Sequence, residues 1–190
     1  MDSTKVTSRA KAMLAFLLLL NILNMVDRTL ITSFGTAIIE DLNLSDSQFG
    51  LLTGPIFVFF YSIMGLFMGA LADRVHRPRL IAAGLFLWSV LTAASGVAKS
   101  FAQIGIARLF VGVGESTMAP SAISMIADLF PKARRGSATG IYYLGVPLGA
   151  GGSFIVAGIL GPMIGWRNCF LLLGGIGILL AVVLLFVRDP

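Results

Sequence analysis

Six stretches of this chain are each long and apolar enough to cross a lipid bilayer, and that feature limits the fold more than any other. A helical crossing needs about 20 consecutive, mostly apolar residues. The candidate spans cover about residues 12–34, 49–72, 80–98, 101–127, 137–160 and 169–187. Hydrocarbon offers no hydrogen-bond partners, so only helices and closed barrels can cross it. Long continuous runs, in place of alternating segments of about ten residues, exclude a barrel. Charged residues make up only 12% of the chain, about half the share in an average soluble domain, and the mean hydropathy is +0.93. The 22 glycines suit helices that pack closely in lipid. The predicted fold is therefore an all-α integral membrane bundle of six helices. The first apolar run follows basic residues as a signal peptide would, but no small-residue cleavage site follows, so it is read as a retained span.

The basic residues set the expected orientation. With the N-terminus inside, the cytoplasmic side holds Lys5, Arg9, Lys11, Arg74, Arg77, Arg79, Lys132, Arg134, Arg135 and Arg188, while the outer side holds Lys99 and Arg167. This asymmetry satisfies the positive-inside rule and predicts that both termini are cytoplasmic, in a bacterial inner membrane. It also accounts for the net charge of +5 without a nucleic-acid partner; membrane lipids are the expected surroundings. Residues 1–11 read as a cytoplasmic tail. One cysteine, Cys169, and one histidine, His76, give neither a disulfide framework nor a structural metal site, and no cofactor is expected.

Four ionisable residues fall inside the predicted spans: Asp27, Arg28, Arg108 and Glu115. Each costs about 2.5–3.5 kcal/mol at the membrane centre even on lenient scales, so such groups face a cavity or pair with one another. At 1.5 Å per residue, Asp27 and Arg108 lie roughly 6 and 7 Å to the outer side of their span centres, which predicts that they pair. Glu115 lies near the midplane. Arg108, Gly112 and Glu115 share one helix face, as do Asn21, Asn24 and Arg28. A static ion pair locking spans one and four is the plain alternative to a proton or substrate site. The spans also repeat in threes: one and four carry ionisable residues, and two and five carry glycine–proline breaks at Thr53-Gly54-Pro55 and Gly145-Val146-Pro147. An odd number of helices separates the units, so the second starts from the opposite side, an inverted repeat.

Several motifs resemble those of the major facilitator superfamily. The loop Gly69-Ala70-Leu71-Ala72-Asp73-Arg74-Val75-His76-Arg77-Pro78-Arg79 is similar to the loop between its second and third helices, with His76 in place of the usual second glycine. Arg108-Leu109-Phe110-Val111-Gly112-Val113-Gly114-Glu115 resembles the fourth-helix motif, and the glycine run Gly145 to Gly152 loosely resembles the fifth-helix motif of antiporters. Within the superfamily the pattern Asp27-Arg28, Gly112-x-Gly114-Glu115, Asp128-Leu129-Phe130-Pro131, Arg134-Arg135-Gly136 and Tyr142-Tyr143-x-Gly145-x-Pro147 resembles the spinster-like lysolipid transporters, with organic anion:cation symporters as the other similar group.

The resemblance implies the N-terminal half of a major facilitator fold. It implies a secondary transporter, not an enzyme, that uses protons to move a small amphipathic or anionic lipid-like molecule. Asp27, Arg108 and Glu115 would form its charge network. Arg28, Asn24, Arg108 and Tyr61 would contact the substrate, and Gly69, Asp73, Arg74 and Arg77 would form the gating loop. Residues 188–190 would begin the central cytoplasmic loop. The pathway would be completed by a C-terminal six-helix half missing from this chain, or by a second copy.

Overall fold

The computed structural model describes residues 6–190; Lys5 and the start of the expected tail lie outside them. The described residues are helical almost throughout. Helix α1 (Ser8–Ser33) begins earlier than expected, because Thr7 caps it by accepting from the Ala10 amide at 3.1 Å. A bend at Phe34 leads into α2 (Gly35–Leu42), which ends at Asn43 in the left-handed conformation. The first crossing thus runs on to Leu42, beyond the expected end near residue 34. Ile38, fully buried, holds this outer extension against the bundle.

A capping box of Ser45 and Gln48 starts α3 (Asp46–Thr53). The backbone breaks at Gly54, and α4 (Pro55–Ala72) begins with proline in its first turn, where the missing amide costs nothing. Helix α5 (Arg77–Gly96) follows the loop. The fourth crossing, expected to be continuous, is split into α6 (Phe101–Glu115) and α7 (Met118–Leu129). The Ser116 and Thr117 hydroxyls donate to the Val113 and Gly114 carbonyls, at 2.7 and 2.9 Å. Such bonds to the preceding turn bend helices.

The last long apolar run, Lys132–Leu185, comprises α8 (Lys132–Tyr143), α9 (Gly145–Ile155), a π-helical turn (Val156–Leu160) and α10 (Gly161–Leu185). Five continuous helical stretches are long and apolar enough to cross a membrane, and this 54-residue stretch is one of them. At 1.5 Å per residue it would extend about 80 Å, far beyond one bilayer. It makes two crossings, because Gly165 takes φ 80° and ψ 160° and reverses the chain. Before the reversal, Gly145, Gly149 and Gly161 meet Asn21, Ile22 and Phe34 in ascending order, so α8 and α9 run parallel to α1. After it, Gly174 and Gly177 meet Ser89 and Leu85, so α10 runs antiparallel to α5. Six crossings result.

Small residues set the spacing between helices. A Cβ on Gly174 would stand 2.6 Å from the Ser89 carbonyl oxygen and 2.7 Å from the Ala93 Cβ, whereas one on neighbouring Gly175 would meet nothing within 4 Å. Gly174→Val should therefore push α10 from α5 and lower the thermal unfolding midpoint, at an overpacking cost of about 1–3 kcal/mol. Gly175→Val should leave it unchanged, so equal midpoints for the two variants would refute this account of the packing.

Candidate functional site

Helices α1, α4, α6, α7, α8 and α9 line a cavity of about 190 Å³. Asn21, Asn24, Arg28, Tyr61, Glu115 and Tyr142 line it, with Met25, Met118, Ala119, Tyr143 and Val146. Arg28 and Glu115, 87 residues apart, form its ion pair. The Arg28 Nε and Nη2 both approach Glu115 Oε2, at 2.9 and 2.8 Å. The pair is asymmetric: the Glu115 side chain is fully buried, while a quarter of the Arg28 side chain is exposed. Arg28 also donates to Asn24 Oδ1 at 3.5 Å. Its guanidinium lies over the rings of Tyr61 and Phe57, at 4.5 and 5.0 Å from their centroids, a cation–π geometry.

Gly112 lets the aromatic wall close in. Its position is 2.8 Å, at an added Cβ, from the Phe57 carbonyl oxygen and 3.2 Å from the Tyr61 amide, so any side chain there would push α4 away. Phe57 and Tyr61 stack with centroids 5.4 Å apart. Arg108 lies over Phe57 as well, at 5.0 Å. This one ring therefore has both guanidiniums within 5.0 Å of its centroid.

Asp27 and Arg108 do not form the ion pair expected of them. The reason is the direction in which Asp27 faces, toward Trp88 of α5. With the first crossing extended to Leu42, Asp27 and Arg28 lie only about 3 and 4.5 Å from its centre, counted along the helix. Glu115 sits at the centre of the Phe101–Leu129 crossing, whereas Arg108 lies about 10 Å toward the outer end. Asp27 and Arg28 both lie within about 5 Å of the Glu115 level, and of the two it is Arg28 that turns toward Glu115. Arg108 donates instead to the Arg28 carbonyl oxygen at 3.3 Å. Asp27, 1% exposed, points away from the cavity and accepts from Trp88 Nε1 of α5 at 3.1 Å.

Trp88 is the site residue that sequence reasoning missed, because an indole in an apolar span reads as packing. Asn21 belongs to the site too, donating to the Tyr142 carbonyl oxygen at 2.8 Å. Several deeply buried atoms find no partner in the protein: Asp27 Oδ1, Glu115 Oε1, Arg108 Nε and Asn24 Nδ2. Buried polar groups are nearly always paired, and here four atoms without a partner among the described residues belong to Asn24, Asp27, Arg108 and Glu115.

The expected gating residues divide. Arg77 is held by Asp128 and Asp189, each at 2.6 Å, by Ser124 at 2.9 Å and by the Pro190 carbonyl oxygen at 3.1 Å. Asp73 and Arg74 are exposed beside it, lining the same polar pocket. No residue comes within 4 Å of an added Cβ at Gly69, which lies on a helix face that this chain leaves uncovered. Among the described residues no cluster of three His, Cys, Asp or Glu could hold a metal ion.

The profile of the Major Facilitator Superfamily matches residues 17–190. The chain belongs to that superfamily. Its all-α membrane architecture is the six-helix half of the superfamily fold, with three-plus-three inverted repeats. A bacterial homolog of the human lysosomal transporter spinster, solved inward-facing and unoccupied, superposes with a TM-score of 0.85 at 35% identity, over 98% of this chain and 44% of that one. An MFS-type efflux pump of Mycolicibacterium smegmatis is 32% identical over 94% of this chain and 42% of its own length. Human protein spinster homolog 1 is 32% identical over 96% of this chain and 35% of its own length. The chain thus spans about four-tenths of the length of these superfamily relatives.

Removing one partner of a buried ion pair leaves a charge uncompensated, at a cost of about 3–5 kcal/mol. Arg28→Met should therefore lower the unfolding midpoint, and adding Glu115→Gln should restore part of the loss. A double variant no more stable than Arg28→Met would show that the two residues are not coupled.

Proposed function

We propose that the protein is the N-terminal half of a proton-coupled secondary transporter that moves a small amphipathic or anionic, lipid-like molecule by alternating access. The observation that carries this reading is the asymmetric Arg28–Glu115 pair at the cavity wall, whose cation is a quarter exposed while its carboxylate is fully buried. An anionic head group entering the cavity meets Arg28 first, and the apolar remainder can lie against Tyr61, Tyr143, Met118 and Val146. Arginine binds carboxylate or phosphate by paired hydrogen bonds. Once the substrate holds Arg28, Glu115 loses its partner in a place without water, and a proton from the cavity removes the stranded charge.

Proton and substrate then bias one two-state equilibrium, which is the requirement for coupling. In this arrangement Arg28, more than Arg108, exchanges partners. Arg108 is a fixed cation behind Phe57, and Asp27, held by Trp88, is a second proton site away from the cavity. The exposed Asp73 and Arg74, with Arg77, form the cytoplasmic gate. A single bundle supplies one wall of the pathway, so a second six-helix half or another copy completes it.

Support for lipid-like cargo comes from the spinster relatives and from the aromatic and apolar cavity wall. In the complete two-bundle transporter reconstituted in liposomes, Glu115→Gln should fold, bind an anionic lysolipid and lose acceleration by a pH gradient. Asp27→Asn should reduce that acceleration. The 190-residue chain by itself should give no uptake, and uptake by it would make a second copy the other wall of the pathway. If both substitutions fold and keep gradient-driven uptake at the original rate, the coupling mechanism is wrong; uptake of an organic acid but no lysolipid would favour the symporter reading.

Orientation follows from the positive-inside rule, with both termini in the cytoplasm of a bacterial inner membrane. A cysteine introduced at Ser3 should react with an impermeant reagent only after the cells are opened. Labelling in intact cells would reverse the topology.

A further inference from the structure

A second cavity, which shares no lining residue with the central one, opens between the first turns of α1 and α8. It encloses about 400 Å³. Lys11 and Arg134 stand at its rim, and Leu14, Leu18, Ala138 and Ile141 line its depth. Helices α1 and α8 run in parallel, so the two cations lie at the same level. From Lys11 to Leu18 the apolar wall descends about 10 Å into the bundle. The order is therefore charge at the membrane surface and hydrocarbon below it.

Neither cation has a carboxylate partner within 4.0 Å among the described residues, unlike Arg28, Arg77 and Arg167, which are all paired. Next to Arg134, Arg135 is tied to the Phe130 carbonyl oxygen at 3.1 Å. Leu14 and Ala138 are buried and form a firm floor, whereas Ala15 and Ile141 are exposed walls.

We propose that this groove is a binding site for an anionic phospholipid of the cytoplasmic leaflet, with its phosphate between Lys11 and Arg134 and an acyl chain along Leu14, Leu18 and Ile141. The assignment to that leaflet rests on the orientation proposed above; the site itself does not depend on transport. The charge pattern selects the ligand. A free anion would leave the apolar wall unused, and a zwitterionic lipid would bring a cation of its own toward Lys11 and Arg134. The cytoplasmic leaflet supplies anionic lipids, whose attraction for each nearby basic side chain corresponds to about five-fold in affinity. A lipid seated here would bridge α1 and α8, the helices that carry Asn21, Arg28 and Tyr142 into the central cavity.

The test is native mass spectrometry of the intact protein in detergent, titrated with phosphatidylglycerol, phosphatidylcholine and glycerol phosphate. Phosphatidylglycerol should bind in preference to phosphatidylcholine. Lys11→Gln and Arg134→Gln should each reduce that preference about five-fold, and the double variant should nearly abolish it. Ala15→Phe, at an exposed wall position, should block the groove and lower phosphatidylglycerol retention without changing the unfolding midpoint. An unchanged preference in the double variant, no preference in the parent protein, or glycerol phosphate binding as tightly as the lipid would each overturn the proposal. Because binding in detergent requires neither a proton gradient nor a membrane orientation, loss of coupled transport or a reversed topology would leave this result intact.

Discussion

Hydrocarbon cannot accept or donate a hydrogen bond, so every polar group that this chain carries into the bilayer must find its partner within the protein. The backbone meets that demand locally, through helices. The side chains of Asp27, Arg28, Arg108 and Glu115 can meet it only between helices. The resulting geometry is unequal: Glu115 takes both donors on one oxygen, Arg108 settles for a backbone carbonyl, and Asp27 receives a single indole N–H. Full satisfaction would have made a rigid lock. Partners shared so thinly are what the proposed exchange with a substrate and a proton requires.

Close approach makes these contacts possible. In lipid there is no hydrophobic drive between helices, so association depends on packing and on small residues at the contact. Gly112 brings α4 against α6 and sets the Phe57 ring within 5.0 Å of two guanidiniums. Gly145 and Gly149 bring α8 and α9 against α1 near Asn21 and Met25. Gly174 and Gly177 do the same for α10 on α5, which supports Trp88 from the far side. The glycines and the charges are thus parts of one design: without the first, the side chains of the second would be too far apart to pair.

At the outer end another cluster closes the bundle. Arg167 donates to Asp41 at 3.0 Å and to the Gly96 and Ala98 carbonyl oxygens at 3.1 and 2.6 Å, while Trp166 donates to the same Asp41 oxygen at 3.0 Å. These bonds join the extended first crossing to the third and sixth. In the proposed orientation they also account for Arg167 on the side where the positive-inside rule disfavours basic residues: it is committed to carbonyls and a carboxylate at the helix ends.

Much of this was legible in the sequence because hydrocarbon imposes a length and a polarity that appear directly in residue order. Six apolar runs, basic loops on alternate sides and four intramembrane charges determine a six-helix bundle and name the residues that must meet. The glycine–proline breaks at Gly54 and near Gly145 were readable for the same local reason. Which charge meets which was not. That depends on depth and rotation: the unbroken-looking first span gains a further helix from Gly35 to Leu42, and the rotation of α1 turns Arg28 toward Glu115 and Asp27 toward Trp88. The bend at Ser116 and Thr117 was equally hidden, since it arises from hydroxyls bonding to carbonyls and from the close passage of Gly84. Shifts of a few ångströms along parallel helices cost the apolar pattern nothing, so only the tertiary packing of α1, α4, α5 and α6 could decide the pairing.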